Sequence, residues 1–412
     1  GEFWEALNTA ALKQLPVLFS VQDNEYAISV PVRDQTAGGS ISKAFSAFPG
    51  LKVIDADGTD LKETEEAFRE AVAYLRAGGG PVLLHTKVVR PYSHSLSDDQ
   101  TQYRMSEEIA AETARDPVTT LERLLVDETG VATAADLAGI REAVDAELDA
   151  AVRQVLEAPE ANPADWPRHL YSEAVDPTDD QWLSTPQTDG APISMGQAIN
   201  QTLADEMARE PRIVVFGEDV ADAQTMTLDH VKGKGGVFKI THGLQRRFGE
   251  DRVFNSPLAE ANIIGRAVGM AMRGLRPVVE IQFFDYIWTA MMQLRNELAT
   301  IRWRSQGQYA APVVVRVPTG GFIKGGPYHS QSAEAIFVHT PGLRVVFPSN
   351  AEDAAGLLRT AIRSEDPVLF LEHKHLYYQG YNRSPYPGTD YTVPLGHARV
   401  VREGEDMTVV TW

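Results

Sequence analysis

Lys52-Val53-Ile54, then Asp57-Gly58-Thr59-Asp60, a run from Leu61 to Arg76 with apolar residues at helical spacing, Gly78-Gly79-Gly80, and Pro81-Val82-Leu83-Leu84-His85-Thr86 follow one another without a break. Short β-branched runs between turn residues read as buried strands, and the periodic run reads as a helix. Repeated strand-helix alternation implies a parallel sheet covered by helices, so the fold class is α/β. Upstream, Phe3 to Leu15 has helical spacing and leads into the apolar run Pro16-Val17-Leu18-Phe19-Ser20-Val21. Downstream, a helix from about Ser194 to Arg209 leads into Ile213-Val214-Val215-Phe216 and begins a second α/β region. Between the two, Asp116 to Leu156 is rich in Ala, Glu, Leu and Arg at helical spacing, and Glu157 to Ala191 is acidic, Pro-containing and aperiodic. The expected organisation is therefore residues 1–115, a helical and acidic linker over 116–190, a second domain over 191–375, and a connector into a further domain over 376–412.

Composition narrows the function classes. Lys and Arg number 38 against 57 Asp and Glu, a formal net charge of −19, which argues against a phosphate-tracking nucleic-acid surface or an anionic-membrane binder. With 43% hydrophobic residues among 412, the chain is able to bury real cores. Cysteine is absent, which removes disulfides, thiolate metal sites and thiol nucleophiles. Apolar stretches such as Ala311-Pro312-Val313-Val314-Val315 are far shorter than the ~20 residues of a membrane helix, and no signal-like segment opens the sequence. Gly1 starts inside an amphipathic pattern and Val409-Val410-Thr411-Trp412 ends on an apolar run, so a piece of a longer chain is expected.

Four segments carry candidate chemistry. Asp23-Asn24-Glu25-Tyr26-Ala27-Ile28-Ser29 follows a strand. On its own it reads as an ordinary turn, although an Asn oxygen and a nearby carbonyl are hard ligands suited to Mg²⁺. Arg90-Pro91-Tyr92-Ser93-His94-Ser95-Leu96-Ser97-Asp98-Asp99 is either a solvated loop or a site at a strand end, with Arg90 suited to phosphate oxygens and His94 to proton transfer. Glu260 opens an apolar, Gly-containing helix, where an acid complements the helix dipole in any case. The strand that follows reaches Gln282 and then Phe284-Asp285-Tyr286, either core aromatics or a wall for a flat ring. Tyr328-His329-Ser330-Gln331 follows a glycine-rich stretch, Gly320 to Gly326, that lacks the closing residues of a P-loop.

Taken together, in this order, the segments resemble the thiamine-diphosphate-dependent decarboxylating component of 2-oxo acid dehydrogenase complexes, with its α- and β-type subunits fused in one chain. The resemblance implies two thiamine-enzyme domains, the latter part of a diphosphate-binding domain over 1–115 and a pyrimidine-binding domain over 191–375, with the start of a transketolase C-terminal-like domain after 376. It places Asn24 and the Tyr26 carbonyl on Mg²⁺, and Ile28 under the bent cofactor. Arg90 and His94 fall on the loop beside substrate and diphosphate, with Ser95, Asp98, Asp99, Tyr103 and Arg104 matching its remainder. Ser95 or Ser97 matches a loop that is phosphorylated in mitochondrial relatives. Position 85 is His where many relatives carry Glu. The motif's opening Gly-Asp-Gly, which supplies a metal ligand, would lie upstream of Gly1, so weak or no binding of metal and cofactor by these residues alone is expected.

Glu260 falls on the acid that hydrogen-bonds the pyrimidine ring and promotes its imino tautomer, Gln282 and Tyr286 on pocket positions beside that ring, and His329 on the histidine serving acyl transfer. The implied reaction is oxidative decarboxylation of a 2-oxo acid, a branched-chain one first and pyruvate or acetoin next, with a lipoyl acyltransferase as partner and the full protein at least a homodimer in a bacterial cytoplasm. A transketolase-like carboligase and a noncatalytic scaffold are the alternatives.

Overall fold

The computed structural model describes residues 1–411 and divides into two compact units, one running to Ala161 and the other beginning at Asn162. The first unit contains a parallel three-stranded sheet of order β1-β3-β2, with β1 Leu18–Asp23, β2 Lys52–Asp57 and β3 Val82–Lys87. Side chains alternate across β3, so Leu83 packs with Leu7 of α1 (Glu2–Lys13) and Phe45 on one face. Leu84 packs with Ala56 and with Ala67 of α2 (Leu61–Arg76) on the other. The Asp60 side chain caps α2 by accepting from the Glu63 amide. The expected helical stretch after 116 contains α3 (Ala134–Glu157), which opens with a reciprocal Thr133/Asp136 capping box and buries none of its residues.

His85 is fully buried in the central strand, and its two ring nitrogens meet Asp23 at 2.9 Å and Asp55 at 3.0 Å. The strand register sets Val21 and Asp55 beside it, so both neighbouring strands contribute to the clamp. Burial opposes charge on Asp55, but hydrogen bonds from Ser42 and His85 outweigh it and hold this carboxyl below its ordinary range.

The second unit is built on an all-parallel six-stranded sheet of order β5-β4-β6-β7-β9-β8. Its strands are β4 Ile213–Gly217, β5 Val253–Asn255, β6 Arg276–Glu280, β7 Val314–Thr319, β8 Arg344–Val346 and β9 Val368–His373. One face is covered by α4 (Met195–Arg209) and α6 (Ala351–Arg363), the other by α5 (Glu260–Met272) and the 284–298 segment. Buried strands on both faces explain the near-continuous Val, Ile and Leu runs. Arg359 of α6 is fully buried and reaches Glu206 of α4, a carboxyl that Arg363 and Arg209 also pair with. Residues 163–193 lie on this unit as largely irregular chain with two short 3-10 turns, the Ser172 amide on Asp366 and Ser184 paired with Thr392. From Gly396 to Thr411 the chain holds no helix or strand.

Candidate functional site

In the second unit the chain leaves β4 toward β5 on one side and then returns to β6 on the other. The order of strands therefore reverses between β4 and β6, where open parallel sheets place their ligands. Gly217 ends β4 there, and a Cβ at this position would sit 2.5 Å from the Glu280 carbonyl, so only glycine lets the two strand ends close up. Glu218 follows immediately. It faces Glu260, at the first turn of α5, and Gln282, beyond β6, although neither Glu218 carboxyl oxygen nor Gln282 Oε1 reaches a hydrogen-bond partner among the described residues. Burial and the neighbouring Glu260 charge push the Glu218 carboxyl up to about 8. Glu260 itself accepts from Thr289 Oγ1 at 2.9 Å. Glu218 therefore keeps its proton near neutral pH.

The same region collects the remaining expected residues of this unit. Tyr286 OH and His329 Nε2 share a hydrogen bond of 3.0 Å, and the Phe283 ring meets the imidazole edge-on at 4.6 Å. His329 is held by its backbone, because Asp285 Oδ1 accepts from the amides of Ser330 and Gln331 at 3.0 and 3.2 Å. Gly325 is required beside it, since a Cβ there would lie 2.4 Å from His329 Cβ. Lys374 is buried with its ammonium unpartnered, near the Phe283 ring and Asp285, and burial lowers it to about 8.

Beneath these groups, Arg316 of β7 is fully buried between Glu280 at 2.8 Å and Glu372 at 2.7 and 2.8 Å, and the Tyr377 hydroxyl donates to Glu372 at 2.6 Å. One cation cannot neutralise two carboxylates. Burial accordingly pushes Glu280 up to about 7, against the pull of Arg316.

In the first unit the two expected segments meet each other. Asn24 Oδ1 accepts from the Tyr26 amide at 3.0 Å, a local turn that leaves the oxygen one further lone pair. Arg90 donates from Nη1 to the Ala27 and Ile28 carbonyls at 2.8 and 2.9 Å, and from Nη2 to Tyr103 OH at 2.9 Å, while its guanidinium lies over the Tyr26 ring. The sequence pattern suggested a guanidinium open to phosphate; here both terminal nitrogens are engaged and only buried Nε lacks a partner. Tyr103 OH donates to Asp98 at 2.6 Å, and Asp98 accepts from the His94 amide at 2.8 Å. Arg104 is buried against Glu108, Glu112 and the Arg90 carbonyl. The His94, Ser95 and Ser97 side chains are exposed, as is Ile28. Among the described residues, no three His, Asp or Glu side chains cluster as a metal site.

Glu218, Asp285 and Lys374 were not among the expected site residues. The signal for Glu218 is its place directly after the apolar run Ile213 to Phe216, at a strand's carboxyl end. Asp285 and Lys374 carry no such signal, because only the tertiary fold brings Asp285 to the amides after His329 and Lys374 to Asp285 and the Phe283 ring.

Residues 191–379 match the family model for the transketolase pyrimidine-binding domain, and residues 1–164 match that for the dehydrogenase E1 component. The chain joins an E1 dehydrogenase region to a transketolase pyrimidine-binding domain. Among curated relatives, the chain is 49% identical over 220 residues to 2-oxoisovalerate dehydrogenase subunit beta of Bacillus subtilis, covering 53% of its own length and 63% of the relative. It is 45% identical over 220 residues to the pyruvate dehydrogenase E1 component subunit beta of Acholeplasma laidlawii, with the same coverage. The chain thus spans less than two thirds of these relatives' length. A transketolase variant from Pichia stipitis superposes with a TM-score of 0.53 at 17% identity, over 91% of this chain and 54% of that one, a likeness of fold. No helix among the described residues is long and apolar enough to cross a membrane.

Proposed function

We propose that this chain is the decarboxylating component of a thiamine-diphosphate-dependent 2-oxo acid dehydrogenase, with Glu260 as the acid that engages the cofactor's pyrimidine ring. The observation that carries this reading is the facing Glu218–Glu260 pair at the β4/β6 switch point of the pyrimidine-binding domain. The donor set fits such a ring: one carboxylate fixed by Thr289, a second carboxyl that keeps its proton up to about pH 8, and the unpartnered oxygen of Gln282. Glu260 would accept from a ring nitrogen, and Glu218 would hold a proton beside it. When bound, thiamine diphosphate supplies the electron sink that makes loss of carbon dioxide possible.

Tyr286 would wall the ring and fix the His329 imidazole, which moves a proton or stabilises charge as the acyl group passes to a lipoyl group on a partner acyltransferase. Asn24 Oδ1 and the Tyr26 carbonyl would hold Mg²⁺ with diphosphate oxygens, and Ile28 would support the cofactor. Arg90 acts here as a positioning residue, because its donors tie down the turn that carries Ile28. His94, exposed on its loop, would meet the substrate. The preferred substrate is a branched-chain 2-oxo acid, with pyruvate second, and the working form is at least a homodimer.

The test is carbon dioxide release from 2-oxoisovalerate and pyruvate, beside two-carbon transfer from a ketose phosphate to an aldose acceptor, by the full-length protein with thiamine diphosphate and Mg²⁺. Decarboxylation of a 2-oxo acid, lost by roughly 100-fold or more in Glu260→Gln, is expected from the role of a positioned acid-base group. Turnover of the ketose alone would instead establish a carboligase.

A further inference from the structure

A cavity of about 690 Å³ lies between the first half of α4, the 232–247 segment and Tyr378. None of Glu218, Glu260, Tyr286 or His329 lines it. Lys232, Lys239, His242 and Arg247 do, and no carboxylate is among its lining residues. In a chain with a net charge of −19, a carboxylate-free wall carrying three fixed cations and an imidazole runs against the overall composition. Lys232, Lys239 and Arg247 form no ion pair among the described residues, whereas neighbouring Lys234 is paired with Asp219. All three line one volume without such a pair; the Asp222 carboxylate, buried against Gly233 and accepting from the Gly243 amide, lies behind this wall and does not line the cavity.

The wall is also preorganised. Asn200 Nδ2 donates to the carbonyls of Ile240 and His242 at 2.8 and 3.1 Å, tying the basic segment to α4. Tyr378 OH donates to the Phe238 carbonyl at 2.5 Å and fixes the aromatic side of the cavity. Lys239 itself has φ 63, a left-handed conformation that a lysine adopts at a cost and a glycine would not. Its amide donates to the Gly236 carbonyl at 3.2 Å, so a local turn holds the residue in this conformation at the cavity wall.

We infer that this cavity binds a polyphosphate-bearing small molecule, with Lys232, Lys239 and Arg247 on the phosphates and any attached planar ring against Tyr378. Three cations about one volume suit several adjacent negative charges better than one carboxylate, and the volume lies within the roughly 300–1,000 Å³ of small-molecule sites. Inorganic polyphosphate and a nucleotide share this chemistry. Their sources are separated by the ring.

The experiment is calorimetric titration of inorganic tripolyphosphate, ATP and a Glu-rich peptide into the protein, in the absence of thiamine diphosphate, at low and high salt. Saturable, salt-sensitive binding of tripolyphosphate or ATP is expected, weakened at least tenfold in Lys232→Ala/Lys239→Ala. Tyr378→Phe keeps the ring, whereas Tyr378→Ala weakens ATP selectively if a ring is part of the ligand. Lys239→Gly is the control for folding. It relieves the strained backbone, so it should hold or raise the thermal midpoint while losing affinity. Absence of binding by both anions, equal affinity for the acidic peptide, or undiminished binding in the double variant would overturn the assignment.

Discussion

The two units each commit a buried arginine to a candidate site, and the two arginines do different work. Arg90 in the first unit bonds to neutral groups, two carbonyls of an exposed turn and one tyrosine hydroxyl. Arg316 in the second is fully buried and bonds only to carboxylates, Glu280 and Glu372. If Arg90 is lost, water can reach the exposed carbonyls. If Arg316 is lost, two carboxyls remain in a medium that cannot solvate them. The first site is thus a surface arrangement tuned by loops, and the second is part of its domain's core.

The largest expected effect follows from this contrast. Arg316→Met should destabilise the second unit by about 3–5 kcal/mol, the cost of leaving buried charge unpaired. Denaturant unfolding would measure it. Arg90→Met should cost only about 1–2 kcal/mol, the worth of a few partly exposed hydrogen bonds. It should nevertheless speed proteolytic cleavage between residues 24 and 32. Equal losses in the two variants would break the comparison.

The titration of the buried carboxyls sharpens it. Glu218 and Glu280 have folded values of about 8 and about 7, both above the ordinary 4.5. Between that ordinary value and the raised ones the folded state binds more protons than the unfolded one, so stability falls as pH rises through the window. Glu218→Gln carries no such proton, and its thermal midpoint should decline less than that of the parent between pH 5 and pH 9. A parallel decline in both proteins would remove Glu218 as a titrating group.

The sequence made the α/β alternation plain because buried parallel strands are continuous apolar runs, and the predicted helix from Leu61 to Arg76 matches the observed limits. Asn24, Arg90 and His94 stood out because their polar neighbours are close in sequence. Glu218 did not, since its partner Glu260 lies on a different element. The engagement of Arg90 was equally hidden, for it depends on how the Ala27–Ile28 turn folds back over the strand end. His85 shows the same limit, as both of its acids come from neighbouring strands.

A smaller effect is expected at Asp285. Asp285→Ala removes the acceptor for the Ser330 and Gln331 amides and should lower their protection from hydrogen exchange by about 1–2 kcal/mol, with the rest of the sheet unchanged. Exchange measured residue by residue would read this directly.

The central claim is that the carboxyl pair at the β4/β6 switch point receives a cofactor ring, with Glu260 as its hydrogen-bond acceptor. Calorimetric titration of thiamine diphosphate with Mg²⁺ into the full-length protein and its Glu260→Ala variant tests it most directly. Saturable binding is predicted, weaker by about 10- to 100-fold in the variant, the value of one hydrogen bond to a charged group, with the thermal midpoint preserved. No binding by the parent, or the same affinity in both proteins, would contradict it.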